Sequence, residues 1–253
     1  MQISAVIITF NEEKNIERCL NSLQDIVDEI IIVDSFSEDK TQEICLKYDN
    51  VKFHTHQWLG YSSQKNYANN LATHDTILSI DADEVLSFDL KQSILELKLK
   101  YENINNPYIV FSFKRLTNYC GSWIKHCGWY PDVKQRIFSK NVQWVGDIHE
   151  SLLYLPNTKF KLLKGDLYHY SYHTISDHIL QIEKFTNLTS KDAFEKGKTV
   201  TIFGLWFKPK WKFFRDYILK AGILDGYAGY QVCKISAFAT YLKNAKLREL
   251  NKK

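Results

Sequence analysis

Three carboxylates stand close together at Asp81-Ala82-Asp83-Glu84, directly after the short apolar run 76–80. Such a run predicts a buried strand, and acids that follow a strand lie at the carboxyl edge of a sheet. If the strand geometry continued, Asp81 and Asp83 would share a face. Converging carboxylates suit a hard divalent cation, Mg²⁺ or Mn²⁺, which takes its remaining ligands from substrate phosphates. The alternative is a polar turn after a strand, which an Asp-x-Asp pattern taken alone would favour.

The run 76–80 is one of several strand-like segments that alternate with helical patterns. The segments lie at 3–10, 29–33, 51–55 and 76–80. After the first of them, apolar residues recur with helical spacing from Ile16 to Leu23, and Ser37 is a predicted N-cap after the second. Strands that alternate with helices predict an α/β fold with a mostly parallel sheet and helices on both faces.

Polar residues end three of these strands, at Asn11-Glu12, at Asp34-Ser35 and at Asp81-Ala82-Asp83. In a parallel sheet these ends meet at one edge, where ligands bind. Asp34 has the position of an acid that accepts hydrogen bonds from a base or a ribose. The alternative is an Asp that only caps the Ser37 helix. The glycine-rich phosphate loops GxGxxG and GxxxxGK[ST] are absent, so a metal ion and Lys65 would have to meet phosphate charge.

Four sequence blocks occur in the order typical of one enzyme family. They are 5–13 (AVIITFNEE), 32–41 (IVDSFSEDKT), 64–66 (QKN) and 78–84 (LSIDADE). In these blocks the chain resembles the family 2 glycosyltransferases over residues 1–150. The resemblance implies a GT-A fold, an α/β fold that binds nucleotide-diphospho-sugars.

Further blocks resemble the bacterial lipopolysaccharide-core β-glucosyltransferase group within that family. They are 128–132 (GWYPD), 135–138 (QRIF), 145–150 (VGDIHE) and 217–226 (YILKAGILDG). The predicted organisation is a GT-A catalytic domain over 1–172 and a helical extension over 173–253. Within the catalytic domain, 1–100 would form the nucleotide-sugar half and 101–172 the acceptor half.

The resemblance also implies roles for individual residues. Those implied for the donor nucleotide are Thr9, Phe10, Asn11, Glu12, Asp34, Lys65, Asp81 and Ala82. Asp83 would hold Mn²⁺ or Mg²⁺ together with Asp81, and His169 would complete the metal site. A polar loop histidine is the plainer explanation of His169.

Inverting transfer of a sugar to a hydroxyl requires one carboxylate base, while the metal ion neutralises the departing diphosphate. The resemblance places the catalytic carboxylate of the family near residues 146–150, where Glu150 is the predicted base. Asp147 is the alternative, because it is three residues away and chemically equivalent.

The acceptor side is predicted in the aromatic, glycine-containing stretch before residue 131 and on the strand that follows it. Trp129 and Tyr130 would stack on sugar rings, or they would instead plug the loop into the core. Arg136 would grip an acidic acceptor with both arms of its guanidinium, or lie exposed at a strand edge. Cys120, His126 and Cys127 fit no structural zinc pattern.

The chain changes character after Val200, where eleven Lys and Arg residues but only three acids occur. This segment is more basic than the whole chain, whose net charge is +4, and it is rich in Trp and Phe. Cations mixed with aromatics on helices are typical of segments that lie on an anionic membrane surface. A packed helix pair or a dimer contact is the alternative. No nucleic-acid-binding module is recognisable, so we expect no nucleic-acid partner.

The five cysteines do not form a disulfide framework, and no signal peptide or membrane anchor is evident. We therefore expect a cytoplasmic protein on the inner face of the cytoplasmic membrane. The resemblance implies an inverting, metal-dependent transferase that moves a hexose, glucose from UDP-glucose, to a saccharide or glycolipid such as the lipopolysaccharide inner core. The alternatives are another cell-surface glycan or a polyprenyl phosphate as acceptor, a nucleotidyltransferase, and a non-catalytic sugar-nucleotide or glycan-binding homologue.

Overall fold

The computed structural model describes residues 1–101, 106–146 and 150–252. Asp147, the alternative base, lies outside these residues. The chain divides into two compact units, the first of which holds Met1–Arg115 and Asp132–His169. The second unit holds Leu116–Pro131 and Tyr170–Lys253, so it begins near the expected extension at 173 but also includes an aromatic stretch from the middle of the chain.

Strands and helices alternate through the N-terminal part of the first unit, as predicted. The elements are β1 (Ile3–Thr9), α1 (Ile16–Leu23), β2 (Glu29–Asp34), α2 (Thr41–Cys45), β3 (Val51–Thr55), α3 (Tyr61–Leu71), β4 (Thr76–Ser79), β5 (Glu84–Leu86) and α4 (Phe88–Lys100). They are followed by β6 (Ile109–Tyr119), β7 (Ser122–Ile124), β8 (Asp132–Ser139), β9 (Trp144–Val145), β10 (Ser151–Leu152) and β11 (Lys159–Tyr172). The residues of β6 and β11 belong partly to each unit.

The strands of the first unit form a mixed sheet in the order β3-β2-β1-β4-β8-β6-β11-β5. The first four of these strands are parallel, and β8 pairs antiparallel with both β4 and β6. β11 pairs antiparallel with β5 and sets His169 opposite Glu84. The carboxyl ends of β1, β2 and β4 therefore meet at one edge, as the polar strand ends predicted.

Helices cover both faces of this sheet because consecutive strand residues point to opposite sides. Ile3, Ala5 and Ile7 of β1 pack under α1 and α4, whereas Val6 packs with α3 on the other face. The helix α1 presents Ile16, Cys19, Leu20 and Leu23 to the sheet, which is the i, i+3, i+4, i+7 spacing of one helical face.

The second unit is built mainly from three helices, α5 (Ile175–Glu195), α6 (Ile202–Phe214) and α7 (Gly226–Leu250). A π-helical turn, Arg215–Leu219, and a 3₁₀ turn, Gly222–Asp225, connect α6 to α7. The core of this unit gathers Tyr119, Ile124 and Cys127 with Val232 and Cys233. In the part of the chain that the structure describes, no helix has an apolar stretch long enough to cross a bilayer.

Candidate donor site at the carboxyl edge of the sheet

Two loops at the carboxyl edge are joined by reciprocal hydrogen bonds. The backbone N–H groups of Asn11, Glu12 and Glu13 donate to Ser37 Oγ, Thr41 Oγ1 and Asp39 Oδ2, over 2.8, 2.8 and 3.0 Å. In return, the N–H of Glu38 donates to Asn11 Oδ1 and that of Lys40 to Glu13 Oε2. Asn11 has a φ of 56°, a conformation that Asn adopts more readily than most residues. Phe10 is 57% exposed beside this loop pair.

Asp34 is buried at the end of β2 and is held from two sides. Its Oδ1 accepts hydrogen bonds from Thr9 Oγ1 at 2.8 Å and from Ser37 Oγ at 2.5 Å. Its Oδ2 accepts from the N–H of Ser37 at 2.7 Å. The predicted N-cap at Ser37 is wrong, because α2 begins only at Thr41 and the Ser37 hydroxyl is used by Asp34. Thr9 and Asp34 thus lie together, as the donor-site prediction requires.

The segment Asp81–Glu84, called the acidic turn below, differs from the predicted strand extension. Strand β4 ends at Ser79 and β5 begins at Glu84, so Asp81 and Asp83 lie in the intervening turn. They do not share a strand face. Asp81 faces Lys65 and Arg136, whereas Asp83 faces His169. The pattern thus provides one carboxylate that is neutralised by protein cations and a second that is paired with a histidine.

Asp81 belongs to a row of alternating charges in which Lys65, Arg136 and Glu84 are buried and Asp81 itself is partly exposed. Its Oδ1 lies 3.2 Å from Lys65 Nζ, and its Oδ2 lies 2.7 Å from an Nη of Arg136. The same Arg136 nitrogen lies 2.5 Å from Glu84 Oε1, and Arg115 extends the row by contacting Glu84 and Asp132. Burial alone would raise the pKa of Asp81, but the positive charges of Arg136 and Lys65 prevail and hold it well below its usual value.

Arg136 is not an exposed strand-edge residue, since only 3% of its surface is accessible. A long cation can be buried in β8 because Asp81 and Glu84 both lie within ion-pair distance of it. Its predicted contact with an acceptor is therefore replaced by contacts with the acidic turn.

Lys65 lies between the acidic turn and the candidate base. The Lys65 side chain comes from α3 and is 5% exposed, and its Nζ is 3.4 Å from Oε1 of Glu150. The same Nζ lies 4.6 Å from the centroid of the Trp144 ring, which packs against the cation. Asp81 and Glu150 thus share one ammonium group, although they are far apart in the sequence.

Asp83 and His169 form a carboxylate–imidazole pair of the kind that takes part in divalent-cation sites. The Nε2 atom of His169 lies 3.1 Å from Oδ2 of Asp83. Among the described residues, no group of three His, Cys, Asp or Glu side chains is arranged as a metal site. One carboxylate and one imidazole fit an ion such as Mn²⁺ that draws its other ligands from phosphate and water. Asp81, which two cations already neutralise, fits a metal ligand less well.

Glu12 experiences the combined negative charge of the site. Its pKa is raised to about 7 in total: burial raises it most, a hydrogen bond from Asn15 lowers it, and the negative charges of Asp83, Asp39 and Asp81 raise it. These carboxylates therefore lie close enough to influence one another, as expected for a site that receives a cation.

The two aromatic residues predicted for the acceptor belong to the second unit. The Trp129 ring is half-buried and contacts Tyr119, Tyr172 and His178 edge-on or at a tilt. This is the arrangement expected of an aromatic that fills the core of its loop. Tyr130 is half-buried and precedes Pro131 through a cis peptide bond.

Three important residues were not predicted for the site, namely Glu84, Arg115 and Gln64. Glu84 was visible as the third acid of the turn, and Gln64 stands beside Lys65 in the 64–66 block. Gln64 is buried and bonds Ser35 Oγ and the His56 backbone, which ties α3 to the end of β2. For Arg115, no sequence pattern pointed to the site.

Comparison with known proteins identifies the family. Residues 4–141 match the model described as glycosyl transferase family 2. The chain is a member of glycosyltransferase family 2. The predicted family and the GT-A type of α/β fold are thereby confirmed, and the protein is a transferase of sugars.

Individual relatives extend this similarity over the whole chain. An uncharacterized glycosyltransferase of Rickettsia felis is 32% identical over 269 residues, which cover 98% of this chain and 90% of that protein. The lipopolysaccharide core biosynthesis glycosyltransferase LpsC of Rhizobium meliloti is 26% identical over 268 residues, covering 98% and 92%. The crystal structure of S. aureus TarS 1-349 in complex with UDP-GlcNAc is 16% identical, covers 100% of this chain and 91% of that chain, and has a TM-score of 0.49.

Proposed function

We propose that this family 2 glycosyltransferase is an inverting, metal-dependent hexosyltransferase that transfers glucose from UDP-glucose to a saccharide or glycolipid. The observation that carries the proposal is the position of Lys65, whose ammonium lies 3.2 Å from Asp81 and 3.4 Å from Glu150. A donor-side acid and a candidate base therefore converge on one cation at the carboxyl edge of the sheet, where ligands of open α/β sheets bind.

The residues of the site divide into two functional groups. Thr9, Asp34 and the 10–12 loop bind the uridine, since they offer a buried carboxylate and a rigid loop at the ends of β1 and β2. Lys65 and the acidic turn face the diphosphate and the sugar. Glu150 removes the proton from the acceptor hydroxyl as that oxygen attacks the anomeric carbon from the face opposite the diphosphate. Asp147 is the alternative base.

A divalent cation, Mn²⁺ or Mg²⁺, would be held by Asp83 and His169. When bound, it supplies positive charge that stabilises the departing diphosphate. Lys65 then adds a second positive charge from the protein itself, on the side of Asp81. The proposed cation thus leaves Asp81 free to keep its ion pairs with Lys65 and Arg136.

The proposed acceptor is a glycolipid of the bacterial cell envelope, such as the lipopolysaccharide inner core. The name of the relative LpsC, which spans 98% of this chain, supports an acceptor of this class. Another cell-surface glycan and a polyprenyl phosphate are the alternative acceptors. A nucleotidyltransferase is disfavoured, because the match to family 2 covers the acidic turn and both nucleotide loops.

The helix α6 supports a contact with the inner face of the cytoplasmic membrane. It packs along α7, yet none of its residues is buried, and Pro209 lies inside it. Its exposed face carries Phe203, Trp206, Phe207, Trp211 and Phe214. Lys212 is paired with Asp216, whereas Lys208 and Lys210 have no partner among the described residues and are available to anionic lipid. We therefore propose that α6 lies in the headgroup region of the membrane.

The proposed reaction is tested by incubating the protein with UDP-glucose, Mn²⁺ and truncated lipopolysaccharide acceptors while UDP release is measured. Thermal unfolding across a panel of nucleotide sugars, with and without Mn²⁺, identifies the donor independently of the acceptor. We expect Mn²⁺-dependent stabilisation by uridine nucleotides and acceptor-dependent UDP release. Release of pyrophosphate would indicate a nucleotidyltransferase, and nucleotide binding without turnover on any acceptor of the panel would favour a binding module.

A further inference from the structure

The side chain of Arg136 contacts both ends of the acidic turn. It projects from β8, and one of its terminal nitrogens donates to Asp81 Oδ2 at 2.7 Å and to Glu84 Oε1 at 2.5 Å. The Nε of Arg136 is buried and has no hydrogen-bond partner among the described residues. The guanidinium is therefore committed to the two acids at the ends of the turn and to nothing else among the described residues.

The backbone of the turn is fixed by the same group of atoms. The N–H of Asp81 donates to Glu84 Oε2 at 3.0 Å, and the N–H of Glu84 donates to the carbonyl of Asp81 at 3.0 Å. Glu84 is completely buried, and Arg136 and Arg115 both lie within ion-pair distance of its carboxylate. Arg136 thus holds the first residue of the turn directly and the last residue through an ion pair.

A buried ionic row of this kind contributes little net stability, because desolvation of its members offsets most of their attraction. Such a row instead fixes the positions of side chains, since a planar guanidinium sets the direction of each hydrogen bond to its partners. The residues that it fixes are those that flank Ala82 and Asp83. In the proposed function, these two residues contact the donor and the metal ion.

We propose that Arg136 is a positioning residue that holds the Asp81–Glu84 turn in the geometry required for binding the nucleotide-sugar donor. This inference rests on the proposed function for the identity of the donor. Arg136 does not contact the substrate. It acts through Asp81 and Glu84, so its loss affects the donor and leaves the acceptor and the chemical step unaffected.

Two variants separate positioning from folding. Arg136→Lys keeps the charge but loses the planar fork, whereas Arg136→Met combined with Glu84→Gln removes both buried charges and keeps an acceptor for the Asp81 N–H. Lys140→Met is the control, since it removes a cation just past the other end of β8 that bonds the Asn70 and Ala72 carbonyls. The measurements are the unfolding temperature, the affinity for UDP with Mn²⁺ by calorimetry, KM for donor and for acceptor, and hydrogen exchange over residues 80–86.

We expect both Arg136 variants to fold, to lose at least about tenfold in UDP affinity, as loss of a charge-assisted hydrogen bond costs, and to exchange faster over 80–86. KM for the donor rises, while KM for the acceptor and kcat stay at the wild-type values. Lys140→Met changes none of these. Wild-type UDP affinity and donor KM in a folded Arg136 variant would overturn the inference alone. A wild-type protein that binds no uridine nucleotide would overturn the proposed function and the inference with it.

Discussion

The imidazole of His169 lies beside the carboxylate of Asp83, with 3.1 Å between Nε2 and Oδ2. The sheet produces this contact, because β11 pairs antiparallel with β5 and sets His169 opposite Glu84, the residue after Asp83. A histidine from the C-terminal end of the first unit is thereby brought to the acidic turn.

If Asp83 and His169 hold the cation, Asp83→Asn and His169→Ala should each weaken Mn²⁺ binding in the presence of UDP. We expect a loss of at least about tenfold, since even a residue that only supports a metal ligand contributes that much. Calorimetric titration of Mn²⁺ into the UDP complex measures it. His74→Ala, which changes a histidine before β4, should leave the affinity unchanged. Equal Mn²⁺ affinity in all three variants would assign the ion to other ligands.

Glu150→Gln should stop sugar transfer and leave the donor bound. A glutamine keeps the shape of the side chain but cannot take up a proton, so turnover should fall about 10²- to 10⁴-fold. UDP affinity and UDP release are measured on the same preparation. Glu96→Gln, on the exposed face of α4, serves as the control. Normal turnover by Glu150→Gln would remove Glu150 from the role of base and direct attention to Asp147.

Glu12 should make the folded state less stable as the pH rises. Its pKa is about 7 in the folded protein and its ordinary value is 4.5, so between these values the folded state binds more protons than the unfolded state. The free energy of unfolding therefore falls across this window, by up to about 3 kcal/mol. Chemical denaturation at pH 4.5 and pH 7.5, metal-free, should show a smaller fall for Glu12→Gln. Glu13→Gln, an exposed neighbour, should behave like the wild type.

Replacing Trp206 and Phe207 with Ser should weaken binding to vesicles that contain phosphatidylglycerol. Both rings are exposed on α6, and Phe207 stacks only on Phe203 of the same helix among the described rings, so the unfolding temperature should fall little. Lys208→Gln and Lys210→Gln should each cost about 1 kcal/mol of binding to anionic vesicles and little to neutral ones. Phe238→Ser on α7 is the matched control. If the Ser variant sedimented with vesicles to the same extent as the wild type, the membrane role of α6 would be refuted.

Gly229→Ala should destabilise the second unit. A Cβ at Gly229, in the first turn of α7, would lie 2.1 Å from the carbonyl oxygen of Gly222, so the 3₁₀ turn must shift. Overpacking of this kind costs about 1–3 kcal/mol. Gly204→Ala in α6 meets its nearest neighbour, Thr201 Oγ1, at 3.2 Å, a tight contact that a shift of a few tenths of an ångström relieves, and should cost less than Gly229→Ala. Thermal unfolding of both variants tests the contrast.

The placement of Asn11, Asp34 and Asp81 at one sheet edge was predictable because alternating strands and helices force a parallel sheet. Asp34 is the last residue of β2, and Asn11 and Asp81 lie two residues after the ends of β1 and β4, so no knowledge of distant contacts was needed. The exact end of β4 was less predictable, because the hydrogen bonds between Asp81 and Glu84 that close the turn compete with strand extension.

The position of Arg136 was not predictable from its own surroundings in the sequence. A cation within a strand is buried only when acids from other segments converge on it, and Glu84 and Asp81 do so through the pairing of β8 with β4. For the same reason, the grouping of 116–131 with the C-terminal helices was missed. It depends on contacts such as His126 Nδ1 with Asp225 Oδ1 at 2.7 Å, between segments that are far apart in the chain.

The reciprocal bonds between the loops 11–13 and 37–41 have a thermodynamic consequence. These segments have no regular backbone ladder, yet their amide groups are saturated by neighbouring side chains before any nucleotide arrives. Uridine binding would then require little ordering of the chain, so its entropic penalty and its heat-capacity change should both be small. In deuterated water, the amides of Asn11, Glu12 and Glu13 should therefore exchange slowly in the nucleotide-free protein.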